Sequence, residues 1–144
     1  PGLDDAGVSH ETTILARRLD VRRPALRADP HWPSPSLVPL AYLRVPGWVL
    51  ALDDTQARQA MLAHELAHLA RQDPLWRMAA LALTRIWPTP WSGRLRIELT
   101  ALSELQADAL AARCLGDGEP LARALLACAE HSRRPHLSPG LALA

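Results

Sequence analysis

The sequence predicts an α+β domain that is mainly helical, with a small β-sheet near its N-terminus. Three observations predict this class. Short apolar runs interrupted by prolines occupy residues 21–52, segments with apolar residues at helical spacing occupy 53–132, and the length of 144 residues suits one domain with a hydrophobic core. We expect an ordered core over about residues 10–132 and loose termini over 1–9 and 135–144.

The composition narrows the class of protein. Hydrophobic residues make up 49% and charged residues 22% of the chain, which argues against disorder. With 16 basic and 15 acidic residues, the net charge of +1 gives no reason to expect nucleic acid as a partner. The two cysteines, Cys114 and Cys128, predict buried thiols in a reducing compartment rather than a disulfide framework. No apolar stretch is long enough to span a bilayer as a helix, and a start at Pro1 suggests an excised or processed piece.

The first elements are a helix and an edge strand. Apolar residues recur at helical spacing over residues 10–19, and Ser9 is a suitable N-cap. Residues 20–29 have strand character, but Pro24 restricts such a strand to the edge or end of a sheet. Four prolines then make residues 30–39 extended and hostile to helix.

Two apolar runs, residues 37–43 and 48–52, predict a β-hairpin or two strands of a small sheet. Pro46-Gly47 lies between them and is a good turn signal, because proline presets one backbone dihedral and glycine accepts a positive one. We expect one of these strands to offer an exposed edge to an extended peptide.

Four helices are predicted after the sheet. Asp53 or Asp54 caps the first, and Gln56 is spaced to complete a capping box from Asp53. Asp73-Pro74 ends that helix and begins the next, with the aspartate as N-cap. The expected ranges are about 54–72, 74–86, 92–115 with a stop at Gly116, and 119–132.

The first of these helices contains the most informative motif, His64-Glu65-Leu66-Ala67-His68. Residues four apart lie on one helix face, so both imidazoles can bind a single Zn²⁺. Glu65 is then placed to take a proton from water at the metal. The helix is apolar on nearly every side, which predicts burial, and a metal would satisfy polar groups that are costly to bury. The alternative is a pair of histidines and a glutamate at the protein surface.

A catalytic zinc site needs a third protein ligand. The metzincin pattern requires Gly at position 71 and His at position 74, and this chain has Arg71 and Pro74 instead. Glu104 on a later helix is the better candidate, because Asp108 lies one turn further on and can orient a ligating histidine. Glu98 points about 120° away and is interpreted as a solvated side chain.

These motifs resemble the BlaR/MecR type of zinc metallopeptidase, a group of gluzincins related in pattern to HtpX and Ste-type enzymes. The resemblance covers about residues 12–130, including the His64–His68 motif, the apolar helix that ends at Trp87-Pro88-Thr89-Pro90-Trp91, and Glu104-x-x-x-Asp108. Many BlaR-type sequences have Cys where this chain has Ala107. The resemblance implies His64, His68 and Glu104 as ligands of one zinc ion, Glu65 as general base and Asp108 as an outer partner. It also implies a protein or peptide substrate, and a membrane-embedded parent with its protease domain at the cytoplasmic face and a possible sensor domain.

Several assignments stay open at this level. A zinc-binding domain without catalytic activity, used for signalling or as a scaffold, has the same ligands, and a helical interaction module needs no metal. The residue that stabilises the oxyanion is not assigned; the candidates are Tyr42, Arg113, His131 and His136. Trp87 and Trp91 are interpreted mainly as packing residues, with contact to lipid or a partner as the alternative. The arginines at positions 17, 18, 22, 23 and 27 are interpreted as a solvated face, with contact to an anionic membrane surface as the alternative.

Overall fold

A computed structural model describes residues 6–30, 32–38 and 42–133. Within these ranges the chain is mainly helical with a three-stranded sheet, so the predicted α+β class is confirmed. The elements in chain order are α1 (Ala6–Arg18), β1 (Ala25–Asp29), β2 (Ser36–Val38), β3 (Tyr42–Pro46), α2 (Gly47–Leu50), α3 (Thr55–Ala70), α4 (Asp73–Ile86), α5 (Ser92–Leu115) and α6 (Glu119–Arg133).

The first helix begins earlier than the sequence predicts. The prediction of a loose segment over residues 1–9 is wrong for residues 6–9, which form the first turn of α1. Val8 lies two turns before Leu15, and both side chains are buried where α1 packs against α3. Burial of Val8 stabilises helical backbone that the neighbouring Gly7 disfavours.

The sheet has the order β1-β3-β2. Strand β1 lies at one edge, as the restriction by Pro24 predicts, and it pairs in parallel with β3. It begins at Ala25, so residues 20–24 of the predicted strand are not part of it. Strand β2 pairs with the other side of β3 in antiparallel orientation. The apolar run over residues 37–43 was predicted as one strand and instead contributes to both β2 and β3; residues 39–41 lie outside the described ranges.

The predicted strand over residues 48–52 is wrong. Pro46 precedes the short helix α2 with φ −63° and ψ 148°, so Pro46-Gly47 begins a helix instead of a hairpin turn. Val49 is fully buried by this turn, and the indole N–H of Trp48 donates to the Pro33 carbonyl at 3.0 Å. These tertiary contacts outweigh the β-preference of the run.

Helix α3 is the centre of the domain and contacts α1, α4, α5, α6 and β2. Its buried apolar residues confirm the prediction of a core helix: Ala57, Ala60, Met61, Leu62, Ala63, Leu66 and Ala67. The side chain of Asp54 caps the helix by accepting from the Ala57 N–H at 3.0 Å. Asp54 is therefore the cap, and the capping box between Asp53 and Gln56 is wrong.

The later helix boundaries follow the sequence closely. Helix α4 ends at Ile86, α5 spans Ser92–Leu115, and Gly116 closes α5 with a positive φ of 84°. The start of α4 differs, because Gln72 with φ 57° is the N-cap and Asp73 is the first helical residue. None of the helices in the described part of the chain is long and apolar enough to cross a membrane.

Candidate metal centre

Two imidazoles share one face of α3 at the centre of the site. His64 and His68 are four residues apart, and their Nε2 atoms lie 3.1 Å from each other. His68 is buried and His64 is partly buried, because α4 and α5 cover this face of the helix. The helical spacing predicted from the sequence thus brings two potential ligand atoms to one point.

The third predicted ligand reaches the same point from α5. Glu104 Oε2 lies 3.4 Å from His64 Nε2 and 3.5 Å from His68 Nε2. Small side chains on the buried face of α5, at Ser103, Ala107 and Ala111, allow this helix to pack closely on α3.

The spacing of the three ligand atoms fits zinc. They form a triangle with sides of 3.1, 3.4 and 3.5 Å. Ligands about 2.0–2.1 Å from a tetrahedral Zn²⁺ stand about 3.3 Å apart from one another. Two imidazole nitrogens and one carboxylate oxygen are also ligand types found at catalytic zinc sites.

Asp108 orients one imidazole, as the sequence predicts. Its Oδ1 lies 2.7 Å from Nδ1 of His64. Because a carboxylate accepts hydrogen bonds, this contact favours the proton on Nδ1 and leaves the lone pair of Nε2 for a metal. Asp108 follows Glu104 by one turn of α5, so both carboxylates project toward α3.

Asp73 orients the other imidazole, and sequence reasoning missed this role. It lies 2.8 Å from His68 Nδ1 through Oδ2, which also accepts from the Ser103 hydroxyl at 2.9 Å and from Arg71 Nε at 3.3 Å. Burial opposes ionisation of Asp73, but these hydrogen bonds and the Arg71 charge outweigh it and lower the pKa of the carboxyl. The sequence interpretation assigned this aspartate to the cap of α4, a role that its backbone does not have.

Arg77 is the second missed residue. Its Nη2 donates to Glu104 Oε1 at 2.5 Å and to Ser103 Oγ at 3.3 Å. Partial burial opposes ionisation of Glu104, but the hydrogen bond and charge of Arg77 contribute to a lowered pKa of its carboxyl. Hydrogen bonds through Ser103 therefore connect Asp73, which contacts His68, with Arg77, which contacts Glu104.

Glu65 lies next to these ligands and faces a cleft. Burial raises its pKa to about 7, with a contribution from the nearby charge of Glu104. The Leu37 backbone N–H in β2 and the charge of Arg77 act in the opposite direction. The carboxyl group is thus suited to exchange a proton near neutral pH.

The cleft has a volume of about 400 Å³ and opens between β2 and α4. Among the described residues β2 pairs with β3 alone, and its residues Ser36 and Leu37 line the cleft. The predicted exposed edge is not formed by residues 48–50, which are helical, and the residues of β2 are only partly exposed. The lining residues are Ser36, Leu37, His64, Glu65, His68, Asp73, Pro74, Arg77, Met78, Leu81 and Glu104.

The other sequence candidates lie elsewhere. The Tyr42 hydroxyl accepts from Arg44 at 3.4 Å, and the imidazole of His131 stacks on Trp48 at 4.4 Å. Arg113 is exposed on α5. None of these three residues lines the cleft. His136 lies outside the described ranges. Glu98 is exposed and 3.9 Å from Arg94, as expected for a solvated side chain.

Comparisons with known proteins give no relative. No protein-family model matches the chain, and no curated protein or solved structure matches it.

Proposed function

We propose that this chain is a zinc-dependent endopeptidase of gluzincin-like fold, similar to the BlaR/MecR type. The observation that carries the proposal is the triangle of ligand atoms from His64, His68 and Glu104, with Glu65 on the cleft beside it. His64, His68 and Glu104 would hold Zn²⁺, and Asp73 and Asp108 would fix the two imidazoles. When bound there, zinc supplies a Lewis acid that polarises the scissile carbonyl and increases the acidity of water.

The residues of the chain carry the proton transfers. The Glu65 carboxylate takes a proton from the attacking water and later gives it to the amine leaving group. A pKa of about 7 suits both steps, because the group is readily deprotonated and reprotonated near neutral pH.

The substrate in this proposal is an extended segment of a protein or peptide. Strand β2, with Ser36 and Leu37 on the cleft, is suited to pair with such a segment through main-chain groups other than the Leu37 N–H, which Glu65 engages. Recognition of this kind depends little on the substrate's side chains.

The proposed setting rests on the same resemblance. BlaR/MecR-type enzymes have a membrane-embedded parent with the protease domain at the cytoplasmic face. We therefore infer that this domain belongs to such a parent, with membrane segments or a sensor domain outside the present chain.

A peptidase assay with matched glutamine variants tests the proposal. Glu65→Gln should retain zinc and lose cleavage of an unfolded protein substrate, whereas Glu98→Gln on the exposed face of α5 should retain both. Zinc binding without cleavage in the wild type would instead support the scaffold or signalling alternative. A wild type that binds no zinc would leave a helical interaction module and contradict the proposal.

A further inference from the structure

We propose that the hairpin formed by α4 and the first half of α5 docks into the interface of an anionic lipid membrane. The hairpin comprises residues 74–102, and its tip is the sequence Trp87-Pro88-Thr89-Pro90-Trp91. The inference concerns a surface of the chain and does not depend on the proposed peptidase activity.

The hairpin lacks a core of its own. In the stretch 74–102, all of which the structure describes, no residue is buried. Twelve of the seventeen exposed large hydrophobic residues among the described ones lie in this stretch. The most exposed, at 70–79%, are Trp76, Ile86, Trp87, Trp91 and Ile97. Water-soluble monomers rarely expose so many large apolar side chains in one segment, which indicates a surface that a partner covers.

The breadth of the apolar surface favours lipid over a protein groove. The exposed apolar residues of α4 cover roughly 220° of its circumference at about 100° per residue, and those of α5 cover roughly 200°. A groove on a protein recognises a narrower stripe of residues three and four apart. A lipid phase contacts an inserted hairpin from several sides at once.

The aromatic and basic residues fit the boundary between lipid and water. Trp87 and Trp91 lie at the tip, and an indole prefers the interface because it is apolar with one N–H donor. The hairpin carries four arginines and one glutamate, although the whole chain has 16 basic and 15 acidic residues. Arg77 is paired with Glu104 and Arg94 lies 3.9 Å from Glu98, so Arg85 and Arg96 supply the positive charge that complements anionic lipid headgroups. The basic residues are Arg77, Arg85, Arg94 and Arg96.

Docking would bring the cleft close to the membrane. Met78 and Leu81 line the cleft and are also 56% and 46% exposed on the hairpin. The cleft therefore borders the apolar surface directly, and a bound membrane would lie beside its opening.

Vesicle binding by the full 144-residue chain tests the proposal. The chain should co-sediment with equimolar phosphatidylglycerol and phosphatidylcholine vesicles, and bind phosphatidylcholine alone more weakly. Lipids brominated on the acyl chain should quench its tryptophan emission. Trp87→Ser/Trp91→Ser should weaken binding by about tenfold or more, while Leu125→Ser/Leu126→Ser, at exposed leucines of α6, should leave it unchanged. Because none of these four side chains is buried, all variants should keep the wild-type circular dichroism and melting temperature.

Two matched double variants distinguish the arginines of the hairpin from those near the N-terminus. Arg85→Gln/Arg96→Gln should weaken binding to the anionic vesicles by about fivefold for each arginine removed. The matched variant Arg17→Gln/Arg22→Gln removes the same charge and should bind like the wild type. Absence of vesicle binding, or equal losses in a matched pair, would overturn the proposal. A second result would also overturn it: a wild type that does not bind vesicles but forms a concentration-dependent dimer, which Trp87→Ser/Trp91→Ser dissociates. A second copy of the chain would then cover the hairpin.

Discussion

Nη2 of Arg77 on α4 lies 2.5 Å from Oε1 of Glu104 on α5, whereas the two histidines contact the other carboxylate oxygen, Oε2. The arginine holds one oxygen while the other stays within 3.5 Å of both Nε2 atoms. A bond of this kind fixes the rotamer of a partly exposed ligand that would otherwise lose side-chain entropy on binding metal. Arg77 is therefore a positioning residue for Glu104.

Removal of the Arg77 guanidinium should weaken zinc binding. We expect Arg77→Met to reduce zinc affinity by about 10- to 100-fold, the usual effect of losing an outer partner of a ligand, and Arg77→Lys to recover part of it. Competition with a chromophoric chelator measures the affinity. Arg113→Met, at an exposed arginine of α5, is the control and should bind zinc like the wild type. Equal affinities for Arg77→Met and the control would contradict the positioning role.

Asp73→Asn should also weaken zinc binding, because the amide is a poorer acceptor for Nδ1 of His68 and no longer favours the tautomer that frees Nε2. The expected loss is again about 10- to 100-fold in affinity. Nitrogen chemical shifts of the His68 ring, read by NMR in the metal-free protein, should report a changed tautomer population. The control Asp53→Asn, at an exposed position, should change neither the zinc affinity nor the His68 tautomer. An unchanged His68 tautomer in Asp73→Asn would contradict the role of Asp73 in orienting His68.

The two aspartates before α3 should differ in their effect on stability. Asp54→Ala removes the hydrogen bond to the Ala57 N–H and should lower the free energy of unfolding by about 1 kcal/mol. Asp53→Ala removes an exposed side chain outside the cap and should change it by less than about 0.5 kcal/mol. Urea unfolding of both variants measures the difference, and the reverse order would mean that Asp53 is the cap in solution.

Glu65 should make the stability of the metal-free protein depend on pH. Its pKa is about 7 in the folded chain against 4.5 for an unperturbed glutamate. Between these values the unfolded state loses a proton that the folded state keeps. The contribution of Glu65 to stability is therefore greatest below pH 4.5, falls as pH rises, and reaches its minimum above pH 7.

The neutral variant Glu65→Gln does not lose stability in this way as pH rises, because glutamine does not ionise. Relative to wild type it should gain up to about 3 kcal/mol of unfolding free energy between about pH 4 and pH 8. Urea unfolding in the presence of a chelator measures this gain. A difference between the two proteins that is the same at both ends of the range would show that burial does not shift Glu65 in solution.

The sequence predicts those features that are set by local spacing. His64 and His68 are one helical turn apart, Asp108 follows Glu104 by one turn, and Gly116 supplies the backbone angle that ends α5. These relations hold within one helix and need no knowledge of the tertiary fold. The meeting of Glu104 with the histidines was predicted from chemistry, since a zinc site requires a third ligand.

The missed features depend on contacts between distant segments or on an ambiguous residue type. Asp73 next to Pro74 fits a helix cap as well as it fits a histidine partner, and its contacts with His68 and with Ser103 of α5 identify the second role. Arg77 gains its role from Glu104, 27 residues further along the chain. The helix over Gly47–Leu50 likewise forms because Val49 is buried, which no local pattern specifies.

Elemental analysis of zinc after exhaustive dialysis, with Glu104→Ala beside Glu98→Ala, tests the central claim most directly. Both variants remove one glutamate from α5, but only Glu104 lies within 3.5 Å of the two imidazole nitrogens. We predict one equivalent of zinc in the wild type and in Glu98→Ala, and little or none in Glu104→Ala. Retention of a full equivalent by Glu104→Ala would contradict the three-residue metal centre.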